Sequence, residues 1–355
     1  MKIVILLCCV ALIVACSKEP EYRVSVVCAG DIMQHDEQIH AAYDDIHDRY
    51  DYSGSFHRIT DRLQSADITI GNLECTFSGK PYKGYPRFSA PDELADALQR
   101  AGFTILVTAN NHSYDYGEQG LVRTISVLNT AKIAHTGTFV SADDRNERHP
   151  LIVEKNSIRI AIMSFTHFLN GTSKKYTNSI NYTIREFIKK SIIDAKEKRS
   201  DFIIAYIHWG DEYHTEPNTY QKMLATFCVQ EGINVVVGVH PHVLQPVVAY
   251  EVGGEKSLVA YSLGNFISAQ RMPPRDGGGL LCFDIVKHKG KVRIENERCE
   301  LVWVDTPKVD GKMQYEVLPV ELFLDDKGHL SEYNHTKLKK FSKQATDILA
   351  QKVEH

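Results

Sequence analysis

Short runs of apolar, often β-branched residues alternate with segments of helical spacing through the first two thirds of the chain. The apolar runs predict strands at residues 24–29, 68–70, 103–107, 202–207 and 234–239. Apolar positions three and four residues apart predict helices at residues 92–101, 118–131, 184–198 and 220–231. Strands that alternate with helices form parallel sheets, so the pattern predicts an α/β fold.

The pattern changes after residue 243, where strand-like segments follow one another and several have alternating character. They predict strands at residues 244–251, 257–261, 279–286, 291–304 and 314–318, before a lysine-rich helix at 335–353. Antiparallel strands after α/β units suggest a second sheet packed on the first. We therefore predict one domain over residues 24–320 and a helical extension over residues 321–355.

Five of the predicted strands end in polar groups, at the edge where α/β folds bind ligands. These groups are Asp31, Glu74, Asn110 or Asn111, His112, His208, His240 and His242. Gly238 is expected to turn the chain off its strand, and Pro241 to stiffen the link between the last two histidines.

Two carboxylates, an amide and four imidazoles suit one or two divalent metal ions such as Mn, Zn or Fe. Each residue alone also fits an ordinary structural role, as a helix cap, a core histidine or a turn asparagine. Their joint occurrence at successive strand ends favours a metal site.

The first sixteen residues have the pattern of an export signal. Lys2 precedes an apolar run at residues 3–15, too short to span a bilayer, and Cys16 follows it. The run's ending resembles a bacterial lipobox, which implies a signal peptide at 1–15, a lipid on Cys16 and a tether at 16–23. An ordinary cleaved signal and an N-terminal anchor helix are the alternatives. The resemblance predicts a membrane-anchored lipoprotein of the cell envelope, periplasmic or at the cell surface.

Charge narrows the range of partners. The 355 residues carry a formal net charge of −4, so no basic field attracts nucleic acid, and we expect no nucleic-acid partner.

Six motifs in order resemble one family, the bacterial poly-γ-glutamate capsule synthesis (CapA) proteins. The motifs are Gly30-Asp31-Ile32-Met33, Gly71-Asn72-Leu73-Glu74, Asn110-Asn111-His112 with Asp115 and Gly117, His208-Trp209-Gly210 with Glu212 and Tyr213, Gly238 with His240-Pro241-His242, and Tyr261-Ser262-Leu263-Gly264-Asn265-Phe266. That family is similar to the calcineurin-like metallophosphoesterases. The resemblance implies a four-layer α/β/β/α sandwich of the metallo-dependent phosphatase type with a dinuclear centre.

The resemblance also implies roles for individual residues. Asp31 and His242 resemble first-metal ligands, and Glu74 takes the place of the bridging carboxylate, with Asn72 as the alternative. Asn111, His208 and His240 resemble second-metal ligands. His112 resembles the catalytic acid, and we group Asp115 with it. Arg87, Glu212 and Asn265 are assigned to substrate binding, with a structural role in fixing loops as the alternative.

One position departs from the phosphoesterase pattern. Met33 stands where those enzymes have a histidine, and a thioether is a poor ligand for a hard or borderline cation. The first metal would then be weak, absent or completed by another group such as His35.

The resemblance implies a part in the biosynthesis of a capsule polymer of the poly-γ-glutamate type. We expect a metal-dependent hydrolase that acts on a phosphoester or a glutamyl amide of an anionic polymer or peptide-like substrate. The alternative is a non-catalytic, metal-binding component of a complex with polymer synthase or export proteins. Either form would meet the membrane through its N-terminal lipid.

Overall fold

The computed structural model describes residues 20–171, 179–309 and 311–353. The predicted signal peptide and lipidated Cys16 lie outside these residues.

The bounds of the strands and helices in the described chain are as follows. The strands are β1 (Glu21–Ile32), β2 (Tyr43–Asp44), β3 (Arg49–Tyr50), β4 (Ile68–Leu73), β5 (Ile105–Val107), β6 (Ala134–Thr136), β7 (Leu151–Lys155), β8 (Ile158–Thr166), β9 (Phe202–His208), β10 (Val235–Val239), β11 (Val247–Val252), β12 (Glu255–Ala260), β13 (Asn265–Ile267), β14 (Gly277–His288), β15 (Lys291–Asp305), β16 (Lys308–Val309), β17 (Lys312–Met313) and β18 (Glu316–Pro319). The helices are α1 (Asp36–Ala42), α2 (Ser53–Phe56), α3 (Thr60–Gln64), α4 (Glu93–Ala101), α5 (Gly117–Thr130), α6 (Ala142–Arg148), α7 (Arg185–Glu197), α8 (Thr219–Glu231) and α9 (Glu332–Leu349).

The larger strands form two mixed sheets. The first has the order β18-β15-β14-β1-β4-β5-β6, with β13 also paired to β1, and the second has the order β11-β12-β10-β9-β8-β7. In each sheet most of the parallel strands come from the α/β part of the chain, although β12 and β13 from the C-terminal part also pair in parallel, with β10 and β1. Antiparallel strands extend one or both edges. The prediction that the C-terminal strands form a separate second sheet is therefore wrong. β11 and β12 join the second sheet, whereas β14, β15 and β18 extend the first.

Alternating side chains on each strand divide the apolar residues between two core layers. In β9, Ile204 and Tyr206 face the other sheet, whereas Ile203 and Ala205 pack with residues of α7 and α8. The outer face of the first sheet packs against α2, α3 and α4 in the same way. Because both faces of each sheet are covered, the parallel strands read as continuous apolar runs in the sequence. The predicted four-layer α/β/β/α sandwich is confirmed.

β1 is longer at both ends than the sequence pattern predicts. It begins at Glu21, three residues before the predicted domain boundary, and it continues through Gly30 and Asp31 to Ile32. Its register against β4 shifts between Cys28 and Asp31, which marks a bulge. A Cβ atom on Gly30 would lie 2.0 Å from the Gly264 carbonyl oxygen, so glycine permits this close approach of two backbones. The bulge re-aims Asp31 at the end of the sheet.

The predicted terminal helix packs against the first sheet. Leu338 and Phe341 of α9 share a buried cluster with Trp303 and Leu318. Among the described helices, none combines the length and apolar character needed to cross a bilayer.

Candidate metal centre

The predicted ligands meet where the carboxyl ends of the parallel strands of both sheets converge. The first sheet supplies Asp31, Glu74, Asn111 and His112, and the second supplies His208, His240 and His242; all seven are buried. No single sheet carries the whole set. Packing of the two sheets brings the carboxylates of the first sheet next to the three histidines of the second.

The turn that holds His240 and His242 is built differently from the prediction. Gly238 lies inside β10, and its backbone is not left-handed. The histidines themselves have positive φ angles, 102° at His240 and 57° at His242. Such angles are unfavourable for residues with a side chain and persist where the surrounding structure enforces them, commonly at functional sites. A Cβ on Gly238 would lie 1.9 Å from the Tyr261 carbonyl oxygen, so the glycine allows close packing.

One carboxylate oxygen lies at the centre of the site. Oε1 of Glu74 is 3.8 Å from Nε2 of His208 and 3.7 Å from Nε2 of His242. Ligand atoms of Glu74, His240 and His242 all lie within 4.8 Å of one another. Donor atoms around a tetrahedral ion with bonds of about 2.0–2.2 Å are separated by about 3.5 Å. The spacing around Glu74 therefore suits one ion shared by a carboxylate and imidazoles.

Several of these polar atoms are buried without a protein partner. Across the described part of the chain, no hydrogen-bond partner is found for Glu74 Oε1, Asn111 Oδ1, His208 Nδ1 and Nε2, or His240 Nδ1. An unsatisfied buried polar atom is costly, and such atoms are rare in folded proteins. Their concentration at one point fits a bound cation. The nitrogen and oxygen donor set suits a divalent transition metal.

Burial keeps the histidines in the form that binds metal. Desolvation, with the nearby His240, lowers the pKa of His208 well below its usual range. Desolvation, with the nearby His242, lowers the pKa of His240 to about 3. Both rings are therefore neutral near pH 7 and have a lone pair available for a metal.

Asp31 is held by its neighbours. Its Oδ1 accepts from Asn72 Nδ2 at 2.8 Å, and its Oδ2 lies 3.1 Å from His242 Nδ1. Burial alone would raise the pKa of Asp31, but the hydrogen bond and charge of His242 outweigh it and lower the pKa. Burial and the Asp31 charge raise the pKa of Glu74 well above its usual range. Asp31 thus orients His242, whose Nε2 points toward Glu74.

The structure separates the roles of the two adjacent asparagines. Asn110 uses both ends of its amide, since Nδ2 donates to the Leu73 carbonyl at 2.7 Å and Oδ1 accepts from the His112 backbone at 3.1 Å. Asn111 has the buried, unpartnered Oδ1. Of the two alternatives, Asn111 is the one with a free ligand atom.

His112 and Asp115 form a buried pair. Nδ1 of His112 lies 2.8 Å from Oδ2 of Asp115, which also accepts the Phe88 backbone N–H at 2.8 Å. The Phe88 ring packs edge-on against the imidazole at 4.6 Å between centroids. The carboxylate therefore fixes the Nδ1–H tautomer and leaves Nε2 as the second ring position.

Met33 and His35 lie beside the centre with other contacts. Met33 is 2% exposed and packs in the core of the first sheet's outer face. His35 is the N-cap residue of α1, and its Nδ1 lies 3.2 Å from Gln38 Oε1. His35 does not belong to the described group whose ligand atoms lie within 4.8 Å of Glu74.

The predicted substrate-binding residues divide into two kinds. Arg87 and Glu212 line an open cavity of about 500 Å³ together with His112 and Asp115. Asn265 is fully buried behind His242, where its Oδ1 lies 3.2 Å from the imidazole Nδ1. Its position favours fixing His242 over touching a substrate.

Sequence reasoning missed Asn170, which the sequence analysis did not single out. Its Nδ2 lies 3.4 Å from the His112 ring nitrogens, and its Oδ1 accepts from Asn111 Nδ2 at 3.4 Å. The segment has no periodic pattern, so nothing in the sequence placed it at the site.

Fold and site together define an α/β/β/α sandwich with a candidate metal centre at the carboxyl ends of its parallel strands. The chain is similar to the NAD nucleotidase NadN of Haemophilus influenzae, with 14% identity and a TM-score of 0.50 over 94% of this chain and 62% of that one. It also matches the calcineurin-like phosphoesterase YfkN of Bacillus subtilis, with 17% identity and a TM-score of 0.48 over 79% of this chain and 91% of that one. At 14% identity the likeness to the nucleotidase concerns the fold alone.

Within this class the chain belongs to the bacterial capsule synthesis protein PGA_cap family, whose model matches residues 25–270. It is 31% identical over 237 residues to the capsule biosynthesis protein CapA of Bacillus anthracis, covering 64% of this chain and 56% of that protein. It is 31% identical over 234 residues to the PGA biosynthesis protein CapA of B. subtilis, covering 64% of this chain and 60% of that protein. The match thus spans less than two thirds of either relative. The resemblance to the CapA family is confirmed.

Proposed function

We propose that this protein is a metal-dependent hydrolase of capsule or envelope polymer biosynthesis, acting on a phosphoester or a glutamyl amide. The observation that carries the proposal is the unpartnered Glu74 Oε1 facing His208 and His242 at 3.8 and 3.7 Å. Imidazoles around a buried carboxyl group form a set of the kind that binds a divalent transition metal.

Five residues would hold one divalent ion of the Mn, Zn or Fe type. They are Glu74, Asn111, His208, His240 and His242. A bound ion would polarise the scissile group and lower the pKa of a water molecule for attack. The chain holds the set rigid, since Asp31 and Asn265 both face Nδ1 of His242 at 3.1 and 3.2 Å and leave Nε2 for the ion.

His112 would supply the proton for the leaving group. Asp115 accepts from Nδ1, so a proton carried on Nε2 is the one available for transfer. His112 lines the open cavity with Arg87 and Glu212, where a substrate would reach it. The exposed Arg87 guanidinium would attract an anionic chain there.

The test combines metal content with turnover, on the chain from residue 17 onward. After loading with Mn, Zn or Fe, we expect about one ion per chain by elemental analysis, lost in the His240→Ala, His242→Ala double variant. We expect hydrolysis of a p-nitrophenyl phosphodiester or shortening of poly-γ-glutamate. His112→Gln should retain the metal and lower turnover about 10²–10⁴-fold. Unchanged turnover in His112→Gln contradicts the proposed acid.

A second candidate is a non-catalytic metal-binding component of a polymer synthesis or export complex. It is favoured by Met33, which packs in the core, and by Asp31, whose two oxygens are already bound by Asn72 and His242. Both residues occupy positions of the first-metal set. One bound ion, retained polymer binding and no turnover on either substrate would support this candidate.

A further inference from the structure

An arginine that the sequence analysis did not single out is stacked beside the metal centre. The guanidinium carbon of Arg275 lies 3.7 Å from the centroid of the Tyr213 ring. That ring in turn lies 6.1 Å, centroid to centroid, from the imidazole of His242. The Arg275 charge is therefore within about 10 Å of a predicted metal ligand. Roughly three residues of extended chain span that distance.

Both members of the stack are fastened to the turn that carries the histidines. The Tyr213 N–H donates to the Pro241 carbonyl at 2.7 Å, and Tyr213 has a positive φ of 67°. The Arg275 carbonyl accepts from Asn265 Nδ2 at 2.8 Å, while Asn265 Oδ1 faces His242. Any ligand bound by Arg275 would thus have a fixed position relative to His242.

Among the residues that the structure describes, the Arg275 guanidinium has no acidic partner. Arginines elsewhere pair with carboxylates, such as Arg62 with Glu300 and Arg123 with Asp92. Within the described ranges, no carboxylate lies within 4.0 Å of the Arg275 side chain. Burial, with the neighbouring Glu212, raises the pKa of the Tyr213 phenol to about 12. A guanidinium stacked by its face keeps its N–H groups free at the edge, the geometry that binds oxyanions.

We propose that Arg275, supported by Tyr213, binds an oxyanion of the substrate one or two groups away from the bond that is cleaved. The residue would select chains that carry a carboxylate or a phosphate on neighbouring units. This inference rests on the proposed function, because it assigns specificity to the same site. Arg275 would be a second cationic residue at the site, in addition to Arg87. Arg275 lies beside His242, whereas Arg87 lies beside His112.

The experiment measures binding separately from turnover. Isothermal titration of the Mn-loaded chain would use two probes at low salt, a short poly-γ-glutamate oligomer and a polyphosphate of matched charge. The variants are Arg275→Gln, which removes the charge, and Arg275→Lys, which keeps it. Arg185→Gln is the matched control, since Arg185 also stacks on an aromatic ring, Phe227 at 5.2 Å, and belongs to helix α7.

We expect Arg275→Gln to weaken binding of at least one probe about ten- to a hundredfold, Arg275→Lys to recover part of it, and Arg185→Gln to match the wild type. With a hydrolysed substrate, Arg275→Gln should raise KM more than it lowers kcat. A larger loss for the oligomer identifies a carboxylate, and a larger loss for polyphosphate identifies a phosphate.

Three results would overturn the proposal. They are wild-type binding of both probes by Arg275→Gln, absence of binding of either probe to the wild type, and loss of metal from Arg275→Gln, which would show a purely structural role through His242. If the wild type hydrolyses nothing while Arg275→Gln loses probe binding, the proposed hydrolase fails and the anion site stands.

Discussion

His240 and His149 are both buried, and burial is the main cause that lowers the pKa of each imidazole to about 3. Their ring nitrogens have different surroundings. His149 Nε2 lies 2.7 Å from Ser191 Oγ, and its Nδ1 lies 3.2 Å from Asn181 Nδ2. His240 Nδ1 has no such partner among the described residues. Although the two rings are equally buried, their hydrogen-bond partners distinguish them. The partnered His149 is part of the core, and the unpartnered His240 is a candidate ligand.

His149 makes the stability of the protein sensitive to acid. Its pKa is lowered in the folded state, so between about pH 6.5 and 3 the unfolded chain takes up a proton at this position and the folded chain does not. Lowering the pH therefore favours unfolding. We expect His149 alone to reduce the free energy of unfolding by about 2–3 kcal/mol between pH 6.5 and 4.5, measured by urea denaturation.

His149→Gln provides the comparison for that measurement. The variant loses the ring stack on Phe187, so it should be less stable at pH 7. Its stability should then fall less steeply with acid than that of the wild type. The difference between the two slopes isolates His149, because all other groups titrate in both proteins. Parallel slopes would show that His149 is not the source.

At the scale of one element, β10 places the histidine turn through tight backbone packing. A Cβ on Gly238 would lie 1.9 Å from the Tyr261 carbonyl oxygen and 2.4 Å from Trp209 Nε1. That nitrogen donates to the same carbonyl at 2.9 Å. The strand, the segment at Tyr261 and the tryptophan that follows His208 are thus locked together two residues before His240.

Gly238→Ala should therefore disturb both stability and the metal site. We expect the free energy of unfolding to fall by about 1–3 kcal/mol or more, since neither the backbone nor the indole has room to move away. Metal content should fall with it, because the histidine turn shifts. Denaturation and elemental analysis measure the two effects.

Gly54→Ala in α2 is the control for this substitution. Nothing lies within 4 Å of a Cβ on Gly54, and its φ is not positive. Alanine is favoured over glycine in a helix, so stability and metal content should be kept. Equal behaviour of the two variants would contradict the close-packing argument at Gly238.

At the scale of the whole molecule, β1 runs from the N-terminal end of the described chain to the candidate metal centre. It begins at Glu21 and reaches Asp31 at the metal centre, about 33 Å away at about 3.3 Å per residue. A lipid on Cys16 would attach the chain near the start of this strand. In that proposed arrangement the candidate metal centre would lie at the end of β1 that is far from the membrane.

The predicted lipid anchor is tested by Cys16→Ser in a bacterial host. We expect the wild type in the membrane fraction and the variant released into the soluble envelope fraction or retained as uncleaved precursor, since the lipidated cysteine would be lost. Cys299→Ser, a half-buried thiol in β15, is the control and should fractionate like the wild type. A Cys16→Ser variant that stays in the membrane at mature size would rule out lipid anchoring.

The sequence alone determined the α/β class, most strand and helix positions and the polar residue types at the strand ends. Buried parallel strands read as β-branched apolar runs because helices and the partner sheet cover both faces. The ordered motifs from Gly30 to Phe266 also identified the family, since they combine residue type with order along the chain.

Tertiary structure alone decided how these parts meet. Strand pairing is a long-range property, so the local pattern does not show which sheet a strand joins. For this reason the sheet membership of β14 and β15 was mispredicted. Asn110 and Asn111 have the same chemistry, and only their different partners separate them. Arg275 and Asn170 lie in segments without periodicity and come to the centre through contacts distant in sequence. Such contacts are a product of the packed sandwich, so a linear pattern does not contain them.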